Sequence, residues 1–513
     1  MKVHMKRISS FLKLCRLPAL LGGLLTMAVA AQAPVDLRMA LVIGNAEYPS
    51  NPLVNPANDA RAMGASLRSL GFSVVELRDA QKHQMEAAIA KMRDALKGKN
   101  GIGMLYYAGH GLQLDWRNYM VPVDAKPTQA SEVVAQSVDV GSVIDAFKSA
   151  GNRMNIVVLD ACRDNPFVGG VAAKGLAPMD ATSGTFLAYA TAPGNVAEDG
   201  DAAGGNGLYT RYLLQELNKP VARIEDVFKR VRLNVRQQSQ GRQIPWESTS
   251  LEEDFFFNDG RVVQPTKPSE AELVSKFAAE KLDWAKISTS SNAADFYGFL
   301  DKYPNGFMSE QAQFKLDQVQ RSLLTVVPDK NGIKPLPSGQ RRYQVGDEFV
   351  FEWTNEFSKE RRRLPGRVTY ADDDRVEVNG GSVIMDQMGG VRKNRFGTKD
   401  PVVMLAPADI ALGKSWRTAF TNVRPDGVSE DTFFESKVVA LEEVAALGRM
   451  VKAYKVQRRG QARALNSSST LEGTYWVDPS TMRVVRNDLL IRSGNRIVEY
   501  DSTVLVEARA AAR

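Results

Sequence analysis

From Arg38 to about Asp259 the chain alternates short apolar runs with amphipathic stretches, and this alternation restricts its fold more than any other feature. Met39-Ala-Leu-Val-Ile-Gly44, Ser73-Val-Val-Glu-Leu77, Met104-Leu-Tyr-Tyr-Ala108, Ile156-Val-Val-Leu159 and Thr185-Phe-Leu-Ala-Tyr-Ala190 suit buried strands. Between the second and third runs, Met85, Ala88, Ile89, Met92 and Leu96 recur at helical spacing opposite Lys91, Arg93 and Lys97. Residues 59–70, 142–149, 208–217 and 224–238 read as further helices. Strands separated by helices of this length predict an α/β fold with a mostly parallel sheet flanked by helices. Such sheets place their ligand sites beyond the carboxyl ends of the strands.

Two reactive side chains are predicted at that edge, each just past a strand. His110 ends Gly103-Met-Leu-Tyr-Tyr-Ala-Gly-His110, and Cys162 ends the apolar run of Asn155-Ile-Val-Val-Leu-Asp-Ala-Cys162. The chain's other cysteine, Cys15, lies in the N-terminal segment expected to be removed, so Cys162 has no disulfide partner. It is either a small core residue or a reagent. A free thiol is only a few per cent ionised at neutral pH, and an imidazole partner or a helix N-terminus can lower its pKa by units. Gly111 has no side chain to crowd a substrate. Its backbone N–H, with that of Cys162, is a candidate oxyanion donor, a role worth about 3 to 4 kcal/mol of barrier. Taken singly, a strand-end cysteine and a lone histidine are ordinary structural residues; placed together, they point to a cysteine hydrolase.

Tyr107-Ala-Gly-His-Gly111 and Leu159-Asp-Ala-Cys-Arg163 resemble the histidine and cysteine motifs of the caspase and metacaspase superfamily, whose histidine precedes the cysteine by about 50 residues. Residues 185–194 and Gly207-Leu-Tyr-Thr-Arg-Tyr-Leu-Leu214 resemble the strand, loop and helix of the caspase small subunit. The similarity covers about residues 38–258 and is nearest to exported bacterial caspase-like proteins with extra C-terminal domains. It implies a caspase-hemoglobinase sheet and a cysteine endopeptidase with Cys162 as nucleophile and His110 as general base and acid. It implies no cofactor, and no metal site can be assigned to particular residues.

The departures from the caspase pattern bear on substrate choice. Asp160 stands where caspases have glutamine, as in metacaspases, and Asp199 appears where caspases carry a pocket arginine. Aspartates there would repel an acidic side chain and attract a basic one, so the expected partner is a protein or peptide cut after Arg or Lys. The competing readings are a carboxylate capping the following loop for Asp160 and an exposed loop charge for Asp199. The first loop, residues 45–58, offers Glu47 and no arginine. Arg163 and Lys174 are candidate self-cleavage positions, and Trp246 either borders the groove or closes the sheet.

Outside this region the chain is less explicit. Lys2, Lys6, Arg7, Lys13 and Arg16 precede an apolar stretch from Leu17 to Ala31 and the small-residue site Ala31-Gln-Ala33. That order predicts a signal peptide over 1–33 and an exported, periplasmic or secreted protein without stable membrane insertion after cleavage. The alternative is a retained anchor. Residues 260–270 and 325–340 read as linkers, 271–324 as a helical hairpin turning at Pro304-Asn-Gly306, and 341–508 as an antiparallel β-rich sandwich or open barrel. The acidic run Asp372-Asp-Asp374 reads as a solvated turn rather than a cation site. The net charge of +7 is not gathered on an aromatic-bearing tract, so no nucleic-acid partner is expected. Two rival functions stand beside the peptidase: an envelope interaction protein that uses the caspase fold as a binding module and its β domain for partners, and a non-proteolytic Cys–His transferase.

Overall fold

The structure is a computed structural model that describes residues 37–162, 176–192, 205–259, 270–321, 340–464, 467–494 and 496–511. The predicted signal segment, most of both linkers, Arg163, Lys174 and Asp199 lie outside the described residues.

The first part is built on β1 (Arg38–Gly44), α1 (Pro56–Ser69), β2 (Ser73–Arg78), α2 (Lys82–Leu96), β3 (Ile102–Leu114), β4 (Arg117–Met120), α3 (Ala130–Gln136), β5 (Val138–Asp139), α4 (Val140–Ser149) and β6 (Met154–Cys162). It continues with β7 (Thr185–Tyr189), α5 (Leu208–Leu217), α6 (Ile224–Gln238) and β8 (Trp246–Thr249). The strands lie in the order β2-β1-β3-β6-β7-β8, parallel except for the antiparallel β7–β8 pair. Alternate residues of each central strand pack on opposite faces. Val42, Met104, Tyr106 and Ile156 pack with α1, α5 and α6, while Leu41, Ile43, Leu105 and Val157 pack with α2 and α4. Burial of each such aliphatic side chain is worth about 1.5 to 3 kcal/mol, which is why these strands carry no polar face.

Local signals set the helix ends. Pro56 opens α1, where its missing N–H costs no hydrogen bond. Gln81 and Gln84 form a reciprocal cap on α2, and Asp139 caps α4 by accepting from the Gly141 N–H at 2.8 Å. The hairpin of β3 with β4, and strands β5 and β8, were not foreseen; they are short and lack a periodic signal. Trp246 belongs to β8, facing Tyr189 across the ladder, so it closes the edge of the sheet.

The helical segment differs from the expected hairpin. It contains three helices, α7 (Glu270–Ile287), α8 (Ala293–Lys302) and α9 (Ser309–Val319). The Ser- and Thr-rich stretch 288–291 interrupts helical propensity, and Asn292 then starts α8 by accepting the Ala294 N–H at 3.1 Å. Phe277, Trp284, Phe296, Phe299 and Leu316 form its core, together with Leu233 of α6 and Ala419 and Phe433 of the C-terminal part. The helices are therefore wedged between the two flanking units. Beneath the Pro304-Asn-Gly306 turn, buried Glu280 accepts the N–H groups of Phe307 (2.8 Å) and Met308 (2.7 Å). The acidic run Asp372–Asp374 also has structural partners: Asp373 pairs with Arg321 and Arg341, and Asp374 with Lys315 of α9.

The C-terminal strands, β9 (Glu348–Asn355) and β10 (Arg361–Ala371) through β20 (Arg496–Arg509), form a closed antiparallel barrel rather than a sandwich or open barrel. Closure comes from β9, which pairs with β10 on one side and with β20 on the other. Alternating hydrophobicity is the same in open and closed sheets, so the sequence pattern could not distinguish them. Among the described residues, no helix is long and apolar enough to cross a membrane.

The segment before the barrel strand at Ser415–Val423 lies along β8. Ser248 donates to the Leu412 carbonyl at 3.3 Å, and Gly413 fits against the Thr249 carbonyl with φ at +86°, where a Cβ would collide. A charge network joins the same surfaces. Arg232 of α6 contacts Glu247 of β8 and Asp409 (3.0 Å); Lys414 contacts Asp409 (2.6 Å) and Glu310 of α9 (3.0 Å); Lys229 contacts Glu310 (3.4 Å). Burial alone would raise the Asp409 carboxyl, but Lys414 and Arg232 hold it well below the usual carboxylate range. Arg236 of α6 adds a buried pair with Asp317 of α9 at 2.7 Å.

Candidate active site

His110 and Cys162 are facing Cα partners at the last register position of the parallel β3–β6 ladder. Contrary to the sequence expectation, His110 does not lie past its strand. It is the residue at which β3 leaves the main sheet and enters the hairpin with β4, where Gly111 faces Met120. Gly109, at φ +153°, makes that transition possible. A Cβ on it would lie 2.7 Å from the Tyr48 hydroxyl and 2.8 Å from that of Tyr107.

The loop between β1 and α1 holds the imidazole, which is 3% exposed. His110 Nε2 is 2.7 Å from the Asn51 carbonyl oxygen. A carbonyl only accepts, so Nε2 carries the proton and Nδ1 is the basic nitrogen of the neutral ring. The Tyr48 ring packs on the imidazole, with centroids 4.4 Å apart and planes inclined at 51°. The loop is itself pinned: Asp79 Oδ1 accepts from Ala46 N (2.8 Å) and Glu47 N (2.9 Å), and Asn45 donates to the Val121 carbonyl at 3.1 Å. Tyr48 and Asn51, not the Glu47 that the sequence singles out, are the residues of this loop that meet the imidazole. Nothing in their spacing signals the role, because Asn51 acts through its backbone.

Val121 donates to the His110 carbonyl at 3.1 Å, so His110 and Val121 occupy a hydrogen-bonding position of the hairpin. By the alternation of antiparallel ladders, the next pair, Gly111 and Met120, is non-bonded, and the Gly111 N–H is directed away from β4. A side chain at 111 would strike Ala161 and Leu176.

Asp160 lies two residues before Cys162, and its Oδ2 accepts the Thr210 hydroxyl at 2.6 Å. Thr210 sits in the first turn of α5 and also contacts Tyr106 Oη at 2.5 Å. A second carboxylate, which no sequence motif marks, converges on this point. Buried Asp59 of α1 accepts the Gly207 N–H at 2.9 Å with Oδ1. A Cβ on Gly207 would lie 3.3 Å from Asp59 Oδ2 and 3.8 Å from Asp160 Oδ2. Burial, then the negative charges of Asp160 and Asp59, push the Tyr106 hydroxyl well above its ordinary range. Asp59 was legible only as an acid in the first turn of a helix, a common capping signal. The described residues thus bring His110, Gly111, Asp160 and the Cys162 backbone to one edge, with Asp59 beside them.

The chain is similar to known proteins over this region. Residues 37–256 match the family model for the peptidase C14 caspase domain. The chain is 29% identical over 255 residues to human mucosa-associated lymphoid tissue lymphoma translocation protein 1, covering 48% of this chain and 29% of that protein. It is 31% identical over 183 residues to the mouse homolog, covering 35% of this chain and 21% of that one. The chain therefore spans less than a third of the length of these curated relatives. Among solved structures, the Drosophila initiator caspase Dronc aligns with a TM-score of 0.32 at 13% identity, over 43% of this chain and 83% of that one. Over residues 37–256 the chain is therefore similar to the caspase-domain family. That family is one of cysteine peptidases, whose substrates are proteins.

Proposed function

We propose that this chain is a cysteine endopeptidase that uses a Cys162–His110 dyad and cuts after Arg or Lys. The observation that carries the reading is the facing register of His110 and Cys162, with the imidazole oriented through Nε2 by the Asn51 carbonyl. With Nε2 protonated, Nδ1 takes the thiol proton. The thiolate attacks the scissile carbonyl carbon, and the Gly111 N–H stabilises the resulting oxyanion. The tetrahedral intermediate collapses to a thioester as the amine leaves with the proton from His110. Water, deprotonated by His110, then hydrolyses the thioester and restores the thiol.

Asp160 and Asp59 place two carboxylates beside the first turn of α5. Both lie near Gly207, so a cationic side chain there is attracted and an aspartate repelled. Export to the periplasm or beyond is the cellular setting proposed from the N-terminal segment.

The test is cleavage of matched peptides bearing Arg, Lys or Asp before the cut. The Arg and Lys peptides should be cleaved and the Asp peptide left intact, with Cys162→Ala reducing the rate by at least about a thousandfold. An Arg chloromethyl ketone should label Cys162. Unchanged cleavage by Cys162→Ala, or preference for the Asp peptide, would overturn the corresponding half of the reading.

A further inference from the structure

One buried tyrosine holds His110 at both its backbone and its ring, and the proposed chemistry gives that tyrosine no part. In an antiparallel ladder, facing residues at a bonded position exchange two N–H···O bonds. At the His110–Val121 position one of these is present, from Val121 N to His110 O at 3.1 Å. The return bond is replaced by a relay. The His110 N–H donates to Tyr48 Oη at 3.0 Å, and the Tyr48 hydroxyl donates to the Val121 carbonyl at 3.0 Å. Tyr107 borders the other half: its hydroxyl donates to the His110 carbonyl at 2.7 Å and accepts from Val121 N at 3.1 Å. Gly109 leaves the space that both hydroxyls need.

Tyr48 belongs to the same loop as Asn51, five residues before Leu53 and the stretch that leads into α1. The loop therefore grips His110 at three points: Nε2 through the Asn51 carbonyl, the ring face through the tyrosine ring, and the backbone N–H through the tyrosine hydroxyl. A phenylalanine would keep the ring contact and remove the acceptor for the His110 N–H. The two contributions are therefore separable by one oxygen atom.

We propose that Tyr48 is a positioning residue for His110, its hydroxyl setting where the imidazole stands relative to Cys162. The proposal rests on the assignment of His110 as the general base. Tyr48→Phe should lower kcat for an Arg peptide roughly tenfold while KM stays within about twofold, because one buried hydrogen bond that orients the base is lost. The pH profile of Cys162 alkylation by iodoacetamide should also shift. A readout independent of turnover is the NMR spectrum of the chain's three histidines, in which the His110 ring resonances should move while those of His83 do not. Unchanged His110 resonances together with an unchanged kcat would overturn the proposal. Should Tyr48→Phe fail to fold, 3-fluorotyrosine at position 48 keeps the shape and alters the hydroxyl, and static His110 resonances in that protein would overturn it equally. If the parent protein neither cleaves nor alkylates at Cys162, the peptidase reading fails, and the His110 resonances still decide whether Tyr48 positions the ring.

Discussion

Thr210 donates its hydroxyl to Asp160 Oδ2 at 2.6 Å, tying the first turn of α5 to the strand that ends at Cys162. The two residues are 50 apart in sequence, and the bond fixes the rotamer of the carboxylate proposed to select a basic side chain. Asp160→Asn should lower kcat/KM for Arg peptides by about a hundredfold, mainly through KM, since a desolvated charge pair with the substrate is lost. Thr210→Val leaves the charge but frees its geometry, and a loss of about fivefold is expected. Steady-state kinetics on Arg and Lys peptides measure both.

Gly109 makes a separate prediction. Gly109→Ala would bring a methyl group to 2.7 Å and 2.8 Å from the Tyr48 and Tyr107 hydroxyls, so β3 must shift at His110. The expected cost is about 1 to 3 kcal/mol of stability, as for other overpacked sites, with a larger relative loss of kcat. Thermal unfolding and turnover, measured on the same preparation, check it.

The pair of Arg236 and Asp317 joins α6 to α9 in the interior. Asp317→Ala should destabilise the chain by about 3 to 5 kcal/mol, because the guanidinium then stays buried without its carboxylate. Replacing both residues, as Arg236→Met with Asp317→Leu, should recover most of that loss. Chemical denaturation of the three proteins tests the pair.

Glu280 predicts a pH dependence. Burial pushes its carboxyl up to about 7, against the Met308 and Phe307 N–H donors that favour its charged form. Between about pH 4.5 and 7 the folded chain thus holds a proton that the unfolded chain has released, so stability falls as pH rises through that window. It is full below the unfolded pKa and levels above about 7. Glu280→Gln removes this titration. The stability of the parent relative to the variant should therefore decrease by about 3 kcal/mol from pH 4 to pH 8, read from unfolding curves at each pH.

The strand β8 is an edge of the sheet, and the chain covers it with its own residues 412 and 413. Gly413→Val would collide with the Thr249 carbonyl and force a β-branched residue into positive φ. The segment should separate from β8 and expose an unpaired edge, the kind of surface through which chains associate. Sedimentation velocity should show more self-association than in the parent.

The central sheet was legible because its strands are continuous apolar runs and its helices repeat every three or four residues; α5 and α6 have the bounds their periodicity predicts. The candidate site was legible as residue types: His110, Cys162, Gly111 and Asp160 all stand in short motifs. Asp59 and Tyr48 were not, since each looks like an ordinary capping acid or loop aromatic until its neighbours are known. The hairpin expected over 271–324 overlooks the break at 288–292, and 341–508 is expected as a sandwich or an open barrel because closure leaves no trace in the alternation.

The sequence by itself determined which segments become strands and helices and which reactive groups stand near strand ends, because periodicity and side-chain chemistry are local. Only the tertiary structure decided that His110 faces Cys162, that Tyr48 and Asn51 hold the imidazole, that Asp59 joins Asp160, and that β9 closes the barrel on β20. Those relationships depend on register and packing between residues far apart in the chain. They are fixed when the core buries its apolar faces together, and no local pattern records them.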